Sequence, residues 1–252
     1  YYSPDGVALF YAARKCGRKT IYFAHAFTPP DFMPLKLDFD LALLPSPKVL
    51  QNCEYRQRGN GRIVFLGIGE KFSPLRLDTL RHKGMRLGIF LSSPANDERF
   101  PHILQQIQET FEPSSLLVRP HPVSLTQSNL RPFVQAYPHA YITAGTRLAD
   151  DAAVCDMALV GASSATLELL RMGLPCLYHA SFELIDHDYA GFVASGIVLE
   201  TKVFKDILVT DIKTFYQSPP WKERFVEFDP FYGQDIDKDQ IINREIHAII
   251  AS

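Results

Sequence analysis

The fold is decided by two separate segments of the chain, LLVRPHP at 116–122 and MALVGASSATLELL at 157–170. Each begins as a short apolar run, which is typical of a buried parallel strand, and becomes polar where that strand should end. In open α/β sheets, ligands bind in the crevice beyond the carboxyl ends of the strands. The two strand ends are therefore predicted to present Arg119, His121 and a serine pair toward one crevice, a grouping that suits a phosphate-bearing ligand.

Length and composition indicate a globular chain with a substantial core. The chain has 252 residues, of which 46% are hydrophobic and 21% charged. The net charge of −2 gives no general reason to expect a nucleic-acid partner, and no apolar run approaches the roughly 18 residues of a membrane helix. No zinc pattern is formed by the cysteines, which are Cys16, Cys53, Cys155 and Cys176. Scattered thiols of this kind are typical of a reducing compartment.

Strands alternate with helices along the chain, which predicts parallel sheets with right-handed crossovers. Residues 1–75 are predicted to be the end of an amino-terminal lobe, and residues 76–235 a carboxyl-terminal Rossmann-like lobe. The polar segment 71–84 is interpreted as the linker. Residues 236–252 are expected to form a helix that packs back on a lobe, because isoleucines recur in it at helical spacing. Since the first residue is Tyr1 and not a methionine, we expect the chain to be a piece of a longer protein.

The segment GASSAT at 161–166 is the first candidate for ligand binding. Small side chains let the main chain approach a ligand, and Ser163 or Ser164 can cap the helix that starts near 165. A phosphate would then meet N–H groups and the positive end of the helix dipole. Glu168, one turn later on the same face, could accept hydrogen bonds from ribose hydroxyls or a base amine. The alternatives are an ordinary serine cap and a solvated glutamate that interacts with the dipole.

The segment RPHP at 119–122 is the second candidate. Prolines on both sides keep His121 extended and out of a helix. An imidazole held in this way could hydrogen-bond to a phosphate and assist a departing nucleotide. A histidine in a surface loop is the alternative.

Two further candidates lie near the amino terminus. His25 follows a predicted strand and could act as a base or position an acceptor, although a satisfied core histidine fits equally well. Asp5 precedes a helix predicted from residue 7 and could be a base or an N-cap. A metal site at 186–188, Asp-His-Asp, is not predicted, because three adjacent side chains do not easily converge on one ion. Nucleotide-binding GxGxxG and Walker motifs and a hydrolase GxSxG motif are absent from the sequence.

As a set, these motifs resemble the carboxyl-terminal lobe of GT-B fold glycosyltransferases. The similarity covers RPHP, then GASS with Glu168, then Gly173-Leu174-Pro175, and it is greatest to bacterial surface-polysaccharide enzymes. These are the sialyltransferase-like and Kdo-transferase-like enzymes and the CDP-glycerol glycerophosphotransferases. The implied fold class is α/β with two Rossmann-like lobes (GT-B), the first truncated at its amino-terminal side. The same resemblance implies that His121, Ser163 and Ser164 hold the phosphate and ribose of a nucleotide.

The predicted site therefore has a donor part and a catalytic part. The segment TIYFAH at 20–25 is similar to a strand that ends in His-Gly in the glycerophosphotransferases, and Asp5-Gly6 resembles an acidic-Gly motif that supplies the base in sialyltransferase-like enzymes. Catalytic roles are thus expected for Asp5, His25 and His121. The donor nucleotide is expected to contact Arg119, His121, Pro122, Gly161, Ser163, Ser164, Thr166 and Glu168.

We expect a metal-independent glycosyltransferase of polysaccharide or capsule biosynthesis that needs no cofactor. It would move a sugar or a polyol phosphate from a nucleotide-linked donor to a glycan or lipid-linked glycan. A CMP- or CDP-linked donor is favoured, and a UDP-linked donor is the alternative. The implied location is the cytoplasm, including peripheral association with the inner face of the membrane. Two other functions stay open: a nucleotide-sugar epimerase of the UDP-N-acetylglucosamine type, and a non-catalytic lobe that binds a glycan.

Overall fold

The chain divides into two units, residues 1–69 with 227–252, and residues 70–226. The computed structural model describes residues 4–24, 35–37, 39–51, 53–55, 61–121, 130–143, 145–161 and 163–251. Its strands are β1 (Ile21–Phe23), β2 (Leu35–Leu37), β3 (Leu41–Leu44), β4 (Cys53–Tyr55), β5 (Arg62–Phe65), β6 (Arg86–Phe90), β7 (Ser115–Arg119), β8 (Ala140–Ile142), β9 (Met157–Val160), β10 (Cys176–Tyr178) and β11 (Leu199–Glu200). Its α-helices are α1 (Pro4–Lys15), α2 (Pro47–Gln51), α3 (Phe100–Phe111), α4 (Leu130–Gln135), α5 (Leu148–Ala153), α6 (Ala165–Arg171), α7 (Val209–Gln217), α8 (Pro219–Phe228) and α9 (Lys238–Ile250).

The first unit contains a three-stranded parallel sheet in the order β1-β3-β5, and β2 pairs with β4 in a second parallel pair. Strand β3 lies between the other two, and both of its faces are buried by apolar side chains. Alternate residues point to opposite faces, so Ala42 and Leu44 join one apolar cluster and Leu41 and Leu43 join another. Ile249 of α9 belongs to the second cluster, so the last helix covers one face of this sheet.

Local polar contacts fix the ends of elements in the first unit. Ser46 Oγ accepts a hydrogen bond from the main-chain N–H of Val49 at 3.4 Å, as expected for a serine cap on α2. After β5 the chain turns at Gly67, whose φ is +66°. Lys238 Nζ donates to the Gly67 carbonyl oxygen at 2.8 Å, so the start of α9 holds this turn.

The second unit is built on a six-stranded sheet in the order β11-β10-β9-β6-β7-β8, in which neighbouring strands run parallel. The chain enters at β6, adds β7 and β8 on one side, and then returns to add β9, β10 and β11 on the other. The direction of winding therefore reverses between β6 and β9. Such a topological switch point opens a crevice at the carboxyl ends of the strands, where open α/β sheets bind ligands.

Residues 71–84, interpreted from sequence as the linker, belong to the second unit. Arg76 Nη2 donates to the carbonyl oxygen of Ala152 at 2.8 Å. The main-chain N–H of Arg76 donates to the carbonyl oxygen of Gly173 at 2.9 Å. The N–H of Ser73 donates to the carbonyl oxygen of Arg171 at 2.9 Å. These bonds attach the segment to the carboxyl ends of α5 and α6, which its polar composition did not indicate.

Candidate functional site

The two polar segments predicted from sequence leave the sheet at the same edge. The strand register places Arg119 at the end of β7 level with Phe90 of β6, and Phe90 level with Val160 at the end of β9. Two strand spacings separate the outer pair, which corresponds to roughly 10 Å between main chains. RPHP and GASS therefore begin on either side of β6, and GASS begins directly beside the switch point.

The two serines of GASS differ in whether their side chains cap helix α6. Ser163 Oγ accepts a hydrogen bond from the N–H of Ala165 at 3.2 Å, so this side chain serves the first turn of α6. Ser164 occupies the N-cap position with φ −59° and ψ −24°, and its side chain makes no capping bond. Capping was expected from either serine, and Ser163 provides the local bond. The Ser164 hydroxyl is not used to cap the helix.

The other predicted donor residues of this segment have distinct environments. Gly161 is buried directly after β9, and Ala162 lies outside the described residues. Thr166 is fully buried, and its hydroxyl has no hydrogen-bond partner within the described structure. Glu168 is half-buried on α6. Thr166 thus faces the protein interior in this conformation, whereas Ser164 and Glu168 retain exposed surface.

Arg119 is paired with a buried carboxylate. Its Nη1 donates to Oδ2 of Asp151 and, at 3.1 Å, to Oγ1 of Thr146. The Asp151 carboxylate also accepts from Oγ1 of Thr143 at 3.1 Å. The side chain of Arg119 is 19% exposed and that of Asp151 is 5% exposed. The positive charge predicted to face a donor is thus largely compensated, and Arg119 ties the end of β7 to α5.

The remaining predicted residues can be placed only in part. His121 is half-buried just beyond β7, at the carboxyl edge of the sheet. Pro122 and His25 lie outside the described residues. Asp5 lies in the first turn of α1, which begins at Pro4, and not before the helix as predicted. A proline at the first helical position is favourable because its φ is already helical, which explains the earlier start.

Three residues missed by sequence reasoning meet at the switch point. Ser92 and Ser93 follow β6, and Glu183 follows β10 after one turn of 3₁₀ helix at 180–182. Glu183 is 1% exposed. Its carboxylate accepts hydrogen bonds from the N–H and the hydroxyl of Ser92 and, at 3.3 Å, from the hydroxyl of Ser93. Burial raises the pKa of Glu183, and the serine hydrogen bonds act in the opposite direction.

A signal for part of this cluster was present in the sequence. Ser92 and Ser93 directly follow the segment MRLGIFL at 85–91, whose sequence predicts a strand, so the strand-end argument that selected GASS applies to them as well. Glu183 gave no comparable signal, because its burial depends on contacts with distant segments. Among the described residues, no group of three His, Cys, Asp or Glu side chains could hold a metal ion. No helix in the described part of the chain is long and apolar enough to cross a membrane.

No family model and no curated protein matches this sequence. Solved structures do match in three dimensions. Anabaena HepE, solved in complex with UDP-glucose, aligns over 98% of this chain and 76% of its own at 15% identity, with a TM-score of 0.50. A variant of S. aureus TarM, solved with fondaparinux, α-GlcNAc-glycerol and UDP, aligns over 98% of this chain and 54% of its own at 8% identity, also with a TM-score of 0.50. This chain has the GT-B fold.

The predicted fold class, α/β with Rossmann-like GT-B architecture, is therefore confirmed. Both units of this GT-B chain contain a parallel sheet, and the second has the switch point expected of a nucleotide-binding sheet. Sequence identities of 15% and 8% support the fold alone. Because one fold supports many activities, the function of this GT-B protein has to be argued from its site.

Proposed function

We propose that this protein is a glycosyltransferase that moves a sugar, or a polyol phosphate, from a nucleotide-linked donor to a glycan acceptor. The observation that carries the proposal is the register of β7, β6 and β9, which brings RPHP and GASS to one edge of a GT-B sheet. A histidine and two serines around a switch point suit a ligand that carries phosphate.

In the proposed donor site, the phosphates bind at Ser163 and Ser164, and Glu168 accepts from the ribose hydroxyls. His121 hydrogen-bonds to the leaving phosphate and stabilises the charge that develops on it. Arg119 supports the loop through Asp151 and contributes part of its charge. Thr166, being buried, is not proposed to contact the donor in this conformation.

The donor base and the acceptor are the finer parts of the proposal. The resemblance in sequence favours a CMP- or CDP-linked donor, whereas HepE and TarM were solved with UDP-glucose and UDP. The proposed acceptor is a surface glycan or a lipid-linked glycan, used in the cytoplasm at the inner face of the membrane. Asp5 or His25 is proposed to remove the proton of the acceptor hydroxyl, and transfer is proposed to be independent of metal.

Calorimetric titration with CMP, CDP, UDP, GDP and ADP, with and without Mg²⁺, tests the donor site. We expect one pyrimidine nucleotide to bind without Mg²⁺, and we expect Ser163→Ala/Ser164→Ala to lose that binding. Ser114→Ala is the matched control, because Ser114 is exposed and precedes β7, at the opposite edge of the sheet. Tightest binding of CMP or CDP supports the cytidine donor, and tightest binding of UDP replaces it with a uridine donor.

Two results would contradict the proposal. If none of these nucleotides binds the wild-type protein, the donor site is wrong, and a glycan-binding role without catalysis takes its place. If a UDP-sugar binds and is isomerised without transfer to any acceptor, the reaction is epimerisation. The first result is read from the titration. The second is read from an incubation of the protein with nucleotide sugar and glycan, followed by chromatographic separation of the sugar products, because epimers have the same mass.

A further inference from the structure

A buried glutamate joins the loops on the two sides of the switch point. Glu183 accepts three hydrogen bonds from Ser92 and Ser93, which continue β6. The same carboxylate packs against Gly161, which continues β9. We call these four residues the Glu183 cluster. It connects the two adjacent strands between which the winding of the sheet reverses.

The contact with Gly161 leaves no room for a side chain. A Cβ atom at Gly161 would lie 2.7 Å from Cδ of Glu183 and within 2.9 Å of both carboxylate oxygens. The carboxylate has little freedom to retreat, because its oxygens are held by the two serines. The Glu183 carboxylate therefore fills the space between the β6 loop and the β9 loop.

We propose that Glu183 is a positioning residue that fixes the separation of these two loops and thereby sets donor affinity. With 1% of its surface exposed, Glu183 acts through Ser92, Ser93 and the GASS loop and does not contact the donor. This inference rests on the proposed function, since it assumes that a nucleotide binds where the GASS loop leaves the sheet.

Three substitutions test the inference. Glu183→Ala removes the carboxylate, and we expect it to weaken binding of UDP or CDP by about ten- to a hundredfold, in the range for small misplacements of a binding group. Glu183→Gln can still accept from the N–H of Ser92, so a smaller loss is expected. Gly161→Ala should weaken binding by displacing the carboxylate. In Glu183→Ala/Gly161→Ala, the added methyl group meets no carboxylate and should cause no further loss.

A matched control separates positioning from general destabilisation. Asp156 is another buried carboxylate of the second unit. It lies directly before β9, whereas Gly161 lies directly after β9. Asp156→Asn should lower the melting temperature and leave the nucleotide Kd unchanged. Hydrogen exchange without nucleotide gives a second readout: Glu183→Ala should speed exchange of the amides at 91–96 and leave those at 86–89 protected.

The outcomes of this test and of the test of function are distinguishable. If the wild-type protein binds UDP or CDP and Glu183→Ala binds it with the same Kd, the positioning role is wrong and the donor site stands. If the double variant loses as much affinity as both single variants together, the contact between Glu183 and Gly161 does not set the separation. If the wild-type protein binds none of the nucleotides CMP, CDP, UDP, GDP and ADP, the proposed function is wrong, and unchanged exchange at 91–96 would additionally disprove the cluster as a structural connection.

Discussion

Removing Asp151 should destabilise the second unit by an amount that the structure allows us to work out. The Asp151 side chain is 5% exposed and accepts hydrogen bonds from Arg119, Thr143 and Thr146. Taking away one partner of a buried pair costs about 3–5 kcal/mol. Because the Arg119 side chain keeps 19% of its surface exposed, we take the lower end, about 3 kcal/mol for Asp151→Ala. That corresponds to a fall of about 6–12 °C in melting temperature for a unit of this size.

The assay is a double-mutant cycle followed by thermal and urea unfolding. Arg119→Ala and Asp151→Ala should each destabilise, and the double variant should lose less than their sum, with a coupling of about 2 kcal/mol for a charged hydrogen bond. Asp150→Ala is the control, because Asp150 is adjacent to Asp151 in the chain but forms an exposed ion pair with Arg147. It should leave the melting temperature unchanged. A coupling below about 0.5 kcal/mol would refute the reasoning, since it is the value of a solvent-screened pair.

Two further predictions concern backbone strain and pH. Gly173→Ala should lower the free energy of unfolding by about 3 kcal/mol or more, since φ is +80° and the new Cβ would lie 2.3 Å from a main-chain carbonyl oxygen. Gly191→Ala is the control: its φ is +70°, but the new Cβ would meet open space, so it should cost about 1 kcal/mol. Equal losses of the two variants in urea unfolding would contradict the steric argument. Burial alone would raise the pKa of Asp156, but the hydrogen bonds and charge of Arg86 outweigh it and the pKa is lowered. The stability contributed by this carboxylate is therefore present above the unfolded pKa of about 4 and lost as the pH falls through the lower, folded value. In unfolding experiments at different pH, Asp156→Asn should reduce this loss of unfolding free energy at low pH. An unchanged dependence of the unfolding free energy on pH would exclude the ion pair as its cause.

The helices and strands of the second unit were largely predictable from sequence. The apolar periodicity of the strand at 157–160 and of the helix at 100–111 coincides with their burial. In the first unit, the last helix, expected within residues 236–252, extends from 238 to 250. Helix α8 was not predicted, since it begins at two prolines and its apolar residues are interrupted by four charged ones. It is anchored by Trp221 and Phe225, which are buried, and Trp221 Nε1 donates to the carbonyl oxygen of Ile197 at 2.8 Å. Trp221, Phe225 and Phe228 stand at i, i+4 and i+7, a helical spacing that the sequence analysis overlooked because the segment is short and begins at two prolines.

Sequence determined the two polar strand ends of the candidate site, because a buried parallel strand and the break that ends it are local patterns. The tertiary structure decided what those residues do. Only the strand order places β6 between β7 and β9, and only folding brings Asp151 to Arg119 and Glu183 to Ser92 and Gly161. Strand order and buried polar contacts join residues far apart in the chain, and the free energy of those contacts depends on burial and geometry that exist only in the folded protein.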